Sequence, residues 1–174
     1  MICYWDKFES PIGFIYLAAS DEGLVYCSNS RENGTDMHRW LSKYLPDCAL
    51  KEESNDILRT AKDQLRAYFS GERELLSVPL KLIGTDFRKE IWQALQTIPY
   101  GETRTYGEIA SYIGKPKGPR AVGQANHHNP ISYFVPWHRV IGASGALVGF
   151  GGGLDTKSWL LSLEGIEHKY DNKK

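Results

Sequence analysis

The chain has 174 residues, of which 21 are basic and 21 acidic, and 41% are hydrophobic. This length holds one compact domain or two small ones with real cores, and the balanced charge excludes a global field that would advertise a polyanion partner. Cys3, Cys27 and Cys48 are odd in number and widely spaced; they suit a reducing compartment better than a disulfide framework, and without a CxxC pair no zinc is expected. No signal peptide or spanning apolar run is visible, so a soluble cytoplasmic protein without a membrane partner is expected, nucleoid-associated if bacterial.

The first thirty residues read as an antiparallel meander. Ile2 to Phe8, Phe14 to Ala19 and Leu24 to Cys27 are strand-like, separated by turns at Ser10-Pro11-Ile12-Gly13 and Asp21-Glu22-Gly23. Cys3 and Cys27 are read on neighbouring strands, and no metal is assigned to them. Met37 to Tyr44 is predicted helical. Ser54 is the predicted cap of a helix in which Ile57, Ala61, Leu65 and Tyr68 share a face, ended by Gly71. Leu75 to Leu82 is predicted extended.

From Thr85 the texture is helical. Phe87, Ile91, Leu95 and Ile98 recur at helical spacing, and Pro99-Tyr100-Gly101 stops the run. Thr105 and Glu108 fit a capping box for a helix that buries Ile109 and Ile113 and stops at Gly114. Pro119 suits the first turn of the next helix, Arg120 to about His127. Asp155 is the predicted cap of a last helix, with Leu154 and Trp159 as a hydrophobic staple, ending near Gly165. His168 to Lys174 reads as a polar tail.

Two helices joined by the basic, Gly- and Pro-containing turn Lys115-Pro116-Lys117-Gly118 read as a helix-turn-helix, with Lys115, Lys117 and Arg120 placed to reach DNA. A pair of packed helices with a solvated basic turn would look the same. Between Thr103 and Lys157 six residues are basic and two acidic, a net of +4, which predicts a local basic face. His127 and His128 are adjacent on a helix, so their side chains diverge; phosphate contact or exposure fits them better than a metal.

The segment Val135-Pro136-Trp137-His138-Arg139-Val140-Ile141 is the most informative run. Taken alone, its Trp beside a His among apolar residues predicts a buried strand. Together with Tyr100-Gly101-Glu102-Thr103, Tyr106, Pro119-Arg120-Ala121-Val122-Gly123, Asn129-Pro130, Ser144-Gly145, Gly152-Gly153-Leu154 and Lys157-Ser158-Trp159-Leu160-Leu161 to Glu164-Gly165, it resembles the O6-alkylguanine-DNA alkyltransferases in order and spacing from about Thr85 to Glu167. In that family a cysteine within Pro-Cys-His-Arg-Val-Ile takes an alkyl group from damaged guanine. Here its position is Trp137.

The resemblance implies an α+β protein: a small N-terminal α/β (ribonuclease-H-like) domain with an antiparallel sheet over 1–82, and a helical, winged-helix-like DNA-binding domain containing a helix-turn-helix over 83–167. It implies minor-groove binding and rotation of the damaged nucleotide into a pocket. Arg120 would replace the extruded base in the stack, and Tyr106 would crowd the phosphate. Ala121, Gly123 and Ala125 would let the second helix approach the groove. Asn129 would brace the active-site turn, Arg139 would have a structural part in it, and His138 with Glu164 would be the relay that activates a thiol. Val148, Gly149, Phe150, Gly151 and Gly152 would wall the lesion pocket, with Phe150 and Gly151 standing where many members carry Tyr and Ser.

An indole is a donor only and is not deprotonated near neutral pH, whereas alkyl acceptance needs a thiolate. The sequence is therefore read as a catalytically inactive homologue. It would bind O6-alkylguanine in double-stranded DNA without alkyl transfer and without a cofactor, and mark it for another pathway such as nucleotide excision repair. Two rivals stand beside this reading: an active alkyltransferase (or its Cys→Trp variant), and a sequence-specific helix-turn-helix regulator.

Overall fold

A computed structural model describes residues 1–145 and 153–168. The fold is α+β and divides into two units, Met1–Ile83 with Pro130–Ser132, and Gly84–Asn129 with the residues from Tyr133 onward. The expected pocket wall, Val148, Gly149, Phe150, Gly151 and Gly152, lies outside the described residues, as does all of the polar tail beyond His168.

In the first unit β1 (Ile2–Ser10), β2 (Gly13–Ala19) and β3 (Leu24–Asn29) form the antiparallel meander. A strand the sequence reading missed, β4 (Ala49–Glu52), pairs parallel with β1, giving the order β3-β2-β1-β4. All four residues of β4 are exposed, so it lacks the alternation that marks a half-buried strand. Cys3 and Cys27 are not on neighbouring strands, because β2 lies between β1 and β3.

Both faces of the sheet are covered. Residues Ile15 to Ala19 are all buried, and successive strand residues point to opposite faces. Tyr16 and Ala18 join Val25, Tyr26, Met37 and Leu41 in one core cluster, which seats α1 (Thr35–Tyr44). Against β1 and β2 lies α2 (Asp56–Phe69), which buries Leu58, Ala61, Leu65 and Tyr68. Its cap is Asn55, not Ser54: the Asn55 side chain accepts from the Leu58 N–H at 2.9 Å. The expected strand at Leu75–Leu82 is reduced to one stretch. Leu24 donates to Pro79 and accepts from Lys81, and Gly23 lets that backbone in, since a Cβ there would lie 2.9 Å from Leu80.

In the second unit α3 (Asp86–Leu95) is capped by Thr85, and α4 (Tyr106–Tyr112) by the expected Thr105–Glu108 capping box. Ile109 is buried, Ile113 half-buried, and Gly114 adopts φ +79° to end the helix. After a six-residue connection (113–118) comes α5 (Pro119–His127) with Pro at its first position. Arg104–Thr105 (β5) and Val140–Ile141 (β6) form a short parallel pair. The last helix, α6 (Gly153–Leu163), begins before Asp155, so Asp155 sits in its first turn and Leu154 is inside the helix. That replaces the expected cap and staple. Among the described residues no helix is long and apolar enough to cross a membrane.

Candidate active site

The segment expected as a buried strand is instead a tight turn. Tyr133, almost fully buried, holds φ +72°, a left-handed conformation that is an outlier for a bulky side chain and costs on the order of 1–3 kcal/mol. Pro136, at φ −78° and ψ 73°, makes an inverse γ-turn in which the Trp137 N–H donates to the Val135 carbonyl at 2.8 Å. The same carbonyl accepts from Asn129 Nδ2 at 2.9 Å. A 3-10 turn then carries Trp137, His138 and Arg139, all buried, and runs into β6. Proline's fixed φ suits the turn, and the Arg139 N–H closes it onto the Pro136 carbonyl.

Behind this turn lies a buried ionic cluster. Glu164, following α6, accepts from Arg139 through both oxygens: Nε to Oε1 and a terminal guanidinium nitrogen to Oε2, each at 2.9 Å. The second guanidinium nitrogen donates to the Ile98 carbonyl at 2.8 Å, and the Gly101 N–H reaches Glu164 Oε1 at 3.0 Å. His138 Nε2 lies 2.8 Å from Glu164 Oε2. Burial pushes Glu164 up, but the hydrogen bonds from His138 and Arg139 outweigh it and hold the carboxyl well below the ordinary range. Burial holds His138 below its ordinary value, against the pull of Glu164. The pair at neutral pH is thus carboxylate and neutral imidazole. The carboxylate accepts a hydrogen bond from the Nε2–H, which leaves Nδ1 as the basic nitrogen of the ring.

Lys157 completes the site from α6. It is fully buried, donates to the Val140 carbonyl at 2.5 Å, and places Nζ 5.8 Å from the centre of a Trp137 ring. Burial pulls its pKa down to about 7. From α5, Asn126 is buried and places Nδ2 3.5 Å from the Trp137 carbonyl.

The sequence reading named His138, Glu164 and Asn129 here and missed Asn126 and Tyr133. It gave Lys157 only as part of a motif and a basic face. Its helical spacing with Leu160, Leu161 and Glu164, all buried, was the available signal. The expected basic face is smaller than the charge count implied. Arg139 and Lys157 are buried, Arg104 pairs with Glu102 and Lys115 with Glu90. Lys117, Arg120 and Ala121 are exposed. Gly123 is half-buried over the Tyr106 ring, and Ala125 is buried, its carbonyl taken by the Trp92 indole at 2.8 Å, so it is not part of an outer surface. His127 and His128 are exposed with ring centres 5.1 Å apart, and among the described residues no cluster of three His, Cys, Asp or Glu side chains fits a metal.

The protein is thus an α/β unit followed by a helical unit, in which a histidine–carboxylate pair is buried behind a proline turn. Residues 3–82 match the 6-O-methylguanine DNA methyltransferase, ribonuclease-like domain, and residues 86–166 match the DNA binding domain of the same family. The chain belongs to the 6-O-methylguanine DNA methyltransferase family. It is 51% identical over 162 residues to the methylated-DNA–protein-cysteine methyltransferase of Methanosarcina acetivorans, covering 93% of this chain and 98% of that one. The Mycobacterium tuberculosis O6-methylguanine methyltransferase superposes with a TM-score of 0.80 at 44% identity, over 94% of this chain and 93% of that one. Mycobacterium tuberculosis OGT in complex with DNA gives 0.78 at 45%, over 92% of each. These relatives overturn two expectations, that the chain is not an enzyme and that it only binds lesions and hands them to another pathway. Near relatives spanning almost the whole chain are named as methyltransferases, and an indole at one position does not outweigh that family membership.

Proposed function

We propose that this chain is the Cys→Trp form of an O6-alkylguanine-DNA alkyltransferase, an enzyme that acts on alkylated guanine in double-stranded DNA by transferring the alkyl group to its own cysteine. The observation that carries this reading is the His138–Glu164 relay, complete and buried directly behind position 137. The resemblance places the accepting cysteine at 137, where this chain has Trp137, and we read the chain as the Cys→Trp form of such an enzyme. With a thiol there, its proton passes to His138 Nδ1. The sulfur attacks the alkyl carbon, the bond from that carbon to guanine O6 breaks, and the departing guanine takes a proton. A thioether and restored guanine remain.

DNA is the partner on this reading. Support comes from the match to the family's DNA binding domain and from the relative solved with DNA. α4 and α5 serve as the helix-turn-helix, with Lys115, Lys117, Ala121 and Gly123 at the minor groove. Arg120, exposed in the first turn of α5, fills the gap left when the damaged nucleotide turns out. Tyr106 presses on the phosphate.

Intact-mass measurement after incubation with an O6-methylguanine duplex tests the reading. It is made on the chain as it stands, where peptide mapping assigns any methyl group, and on Trp137→Cys. The variant is expected to gain one methyl group on the new thiol while the duplex regains guanine. A folded, duplex-bound Trp137→Cys that stays unmethylated would overturn the proposal.

A further inference from the structure

Far along the sequence from the relay, three sulfurs converge at the β1–β4 edge of the first unit. Cys3 and Cys48 place their Sγ atoms 3.0 Å apart, and Cys48 Sγ lies 3.3 Å from Met1 Sδ. The backbone fixes this approach: β1 and β4 pair in parallel from Ile2↔Ala49 onward, and the Ala49 N–H donates to the Met1 carbonyl. Cys3 is buried and Cys48 half-exposed, so a reagent in solution meets Cys48 first. The third cysteine, Cys27, is fully buried on β3.

We propose that Cys3 and Cys48 form a reversible intrachain disulfide, a thiol modification site that fastens β4 to the N-terminal strand. Glutathione disulfide is the oxidant. The Cys48 thiolate attacks one of its sulfurs, the glutathione S–S bond breaks, and one glutathione thiolate leaves. Cys3 then loses its proton and attacks the Cys48 sulfur, expelling the second glutathione. Two protein thiols are oxidised and one glutathione disulfide is reduced to two glutathione molecules. The order follows from burial. Cys3 is pushed up to about 12 by burial and by the neighbouring Cys48, so it attacks only once Cys48 is held as a mixed disulfide, with no charge of its own and at contact distance. The product closes a loop of 45 residues in sequence separation, which restricts the unfolded chain and stabilises the unit.

The test treats reduced protein with glutathione disulfide and reads intact mass, free thiols under denaturing conditions, and non-reduced peptides. The expected product is two hydrogens lighter, keeps one free thiol of three, links the Cys3 and Cys48 peptides, and melts at a higher temperature until reductant is added. Cys3→Ser should stop at a glutathione adduct on Cys48, and Cys48→Ser should show no link and no rise in melting temperature. Cys27→Ala, as control, should still form the link. Three free thiols after prolonged exposure, a wild-type product arrested as the Cys48 adduct, or a link only between chains would each overturn the proposal.

Discussion

Arg139 grips both carboxylate oxygens of Glu164, with 2.9 Å bonds to Oε1 and Oε2. The fork fixes the plane of the carboxylate, and that plane fixes the imidazole of His138. A planar guanidinium does this and an ammonium does not. Removing one partner of a buried pair leaves the other charge uncompensated, so Arg139→Ala should cost about 3–5 kcal/mol in denaturant unfolding. Arg139→Lys should recover only part of that loss. A change below about 1 kcal/mol, the size of an exposed pair, would show that the cluster does not hold the turn.

Acid should weaken the protein in two stages. His138 is held below its ordinary 6.5 in the fold, so below that pH the unfolded chain takes up a proton that the folded one refuses, and stability falls. Glu164 is held well below its ordinary 4.5, so a second loss begins beneath 4.5 as the unfolded carboxyl protonates first. Unfolding free energies from pH 8 to pH 3 should show both limbs. His138→Gln should remove the upper limb and Glu164→Gln the lower. A variant profile parallel to wild type would sink the assignment.

Much of this arrangement was legible in the sequence, and for physical reasons. The Thr105–Glu108 capping box and Pro119 at a helix start are local rules read within four residues, and both hold. His138 and Glu164, separated by 26 positions, were paired only through the family resemblance. β4 was missed because an exposed edge strand has no hydrophobic period. Residues 133–139 taken alone look like a strand, because apolar residues buried on all sides look alike in either form, and the turn there was implied only by the family resemblance. Its geometry rests on a left-handed Tyr133 and on Asn129, neither of which has a periodic signature. The inactive reading failed because one side chain was allowed to decide against a family match spanning both units.

Lys157 should give a slope on the alkaline side. Burial lowers it to about 7 from an ordinary 10.5, so between those values the unfolded chain holds a proton that the folded chain has released. Stability should therefore rise from pH 7 toward pH 10. Lys157→Met should flatten this rise in the same denaturant series. An equal slope in the variant would mean that the ammonium stays charged against the Trp137 ring and the Val140 carbonyl.

On the proposed DNA surface, Arg120 and Lys117 should separate two kinds of contact. Arg120→Ala should weaken binding to an O6-methylguanine duplex by about 1–3 kcal/mol, the cost of losing stacking and close polar contact, with less effect on unmodified duplex. Lys117→Ala should weaken both duplexes alike and reduce the salt slope by about one counterion. Titrations of both duplexes at two salt concentrations would settle the matter. Identical behaviour of the two variants would reduce Arg120 to another phosphate contact.

The relay itself is best read from the thiol it would serve. In Trp137→Cys the new sulfur stands beside a neutral His138 whose Nε2 proton is held by Glu164, so Nδ1 is the base that accepts the thiol proton. Iodoacetamide trapping across pH should then show the new thiol reacting as a thiolate below the ordinary range of about 8.5. Adding His138→Gln should return its titration to that range or above and slow methyl uptake from the duplex by about 10²–10⁴-fold. Adding Glu164→Gln should also slow uptake, because Arg139 loses its counter-charge and the imidazole loses the carboxylate that orients it. Duplex affinity, read by titration, should stay unchanged in the double variants, which separates lost chemistry from lost binding. Methyl uptake in the His138→Gln double variant as fast as in Trp137→Cys alone would show that His138 does not activate the thiol.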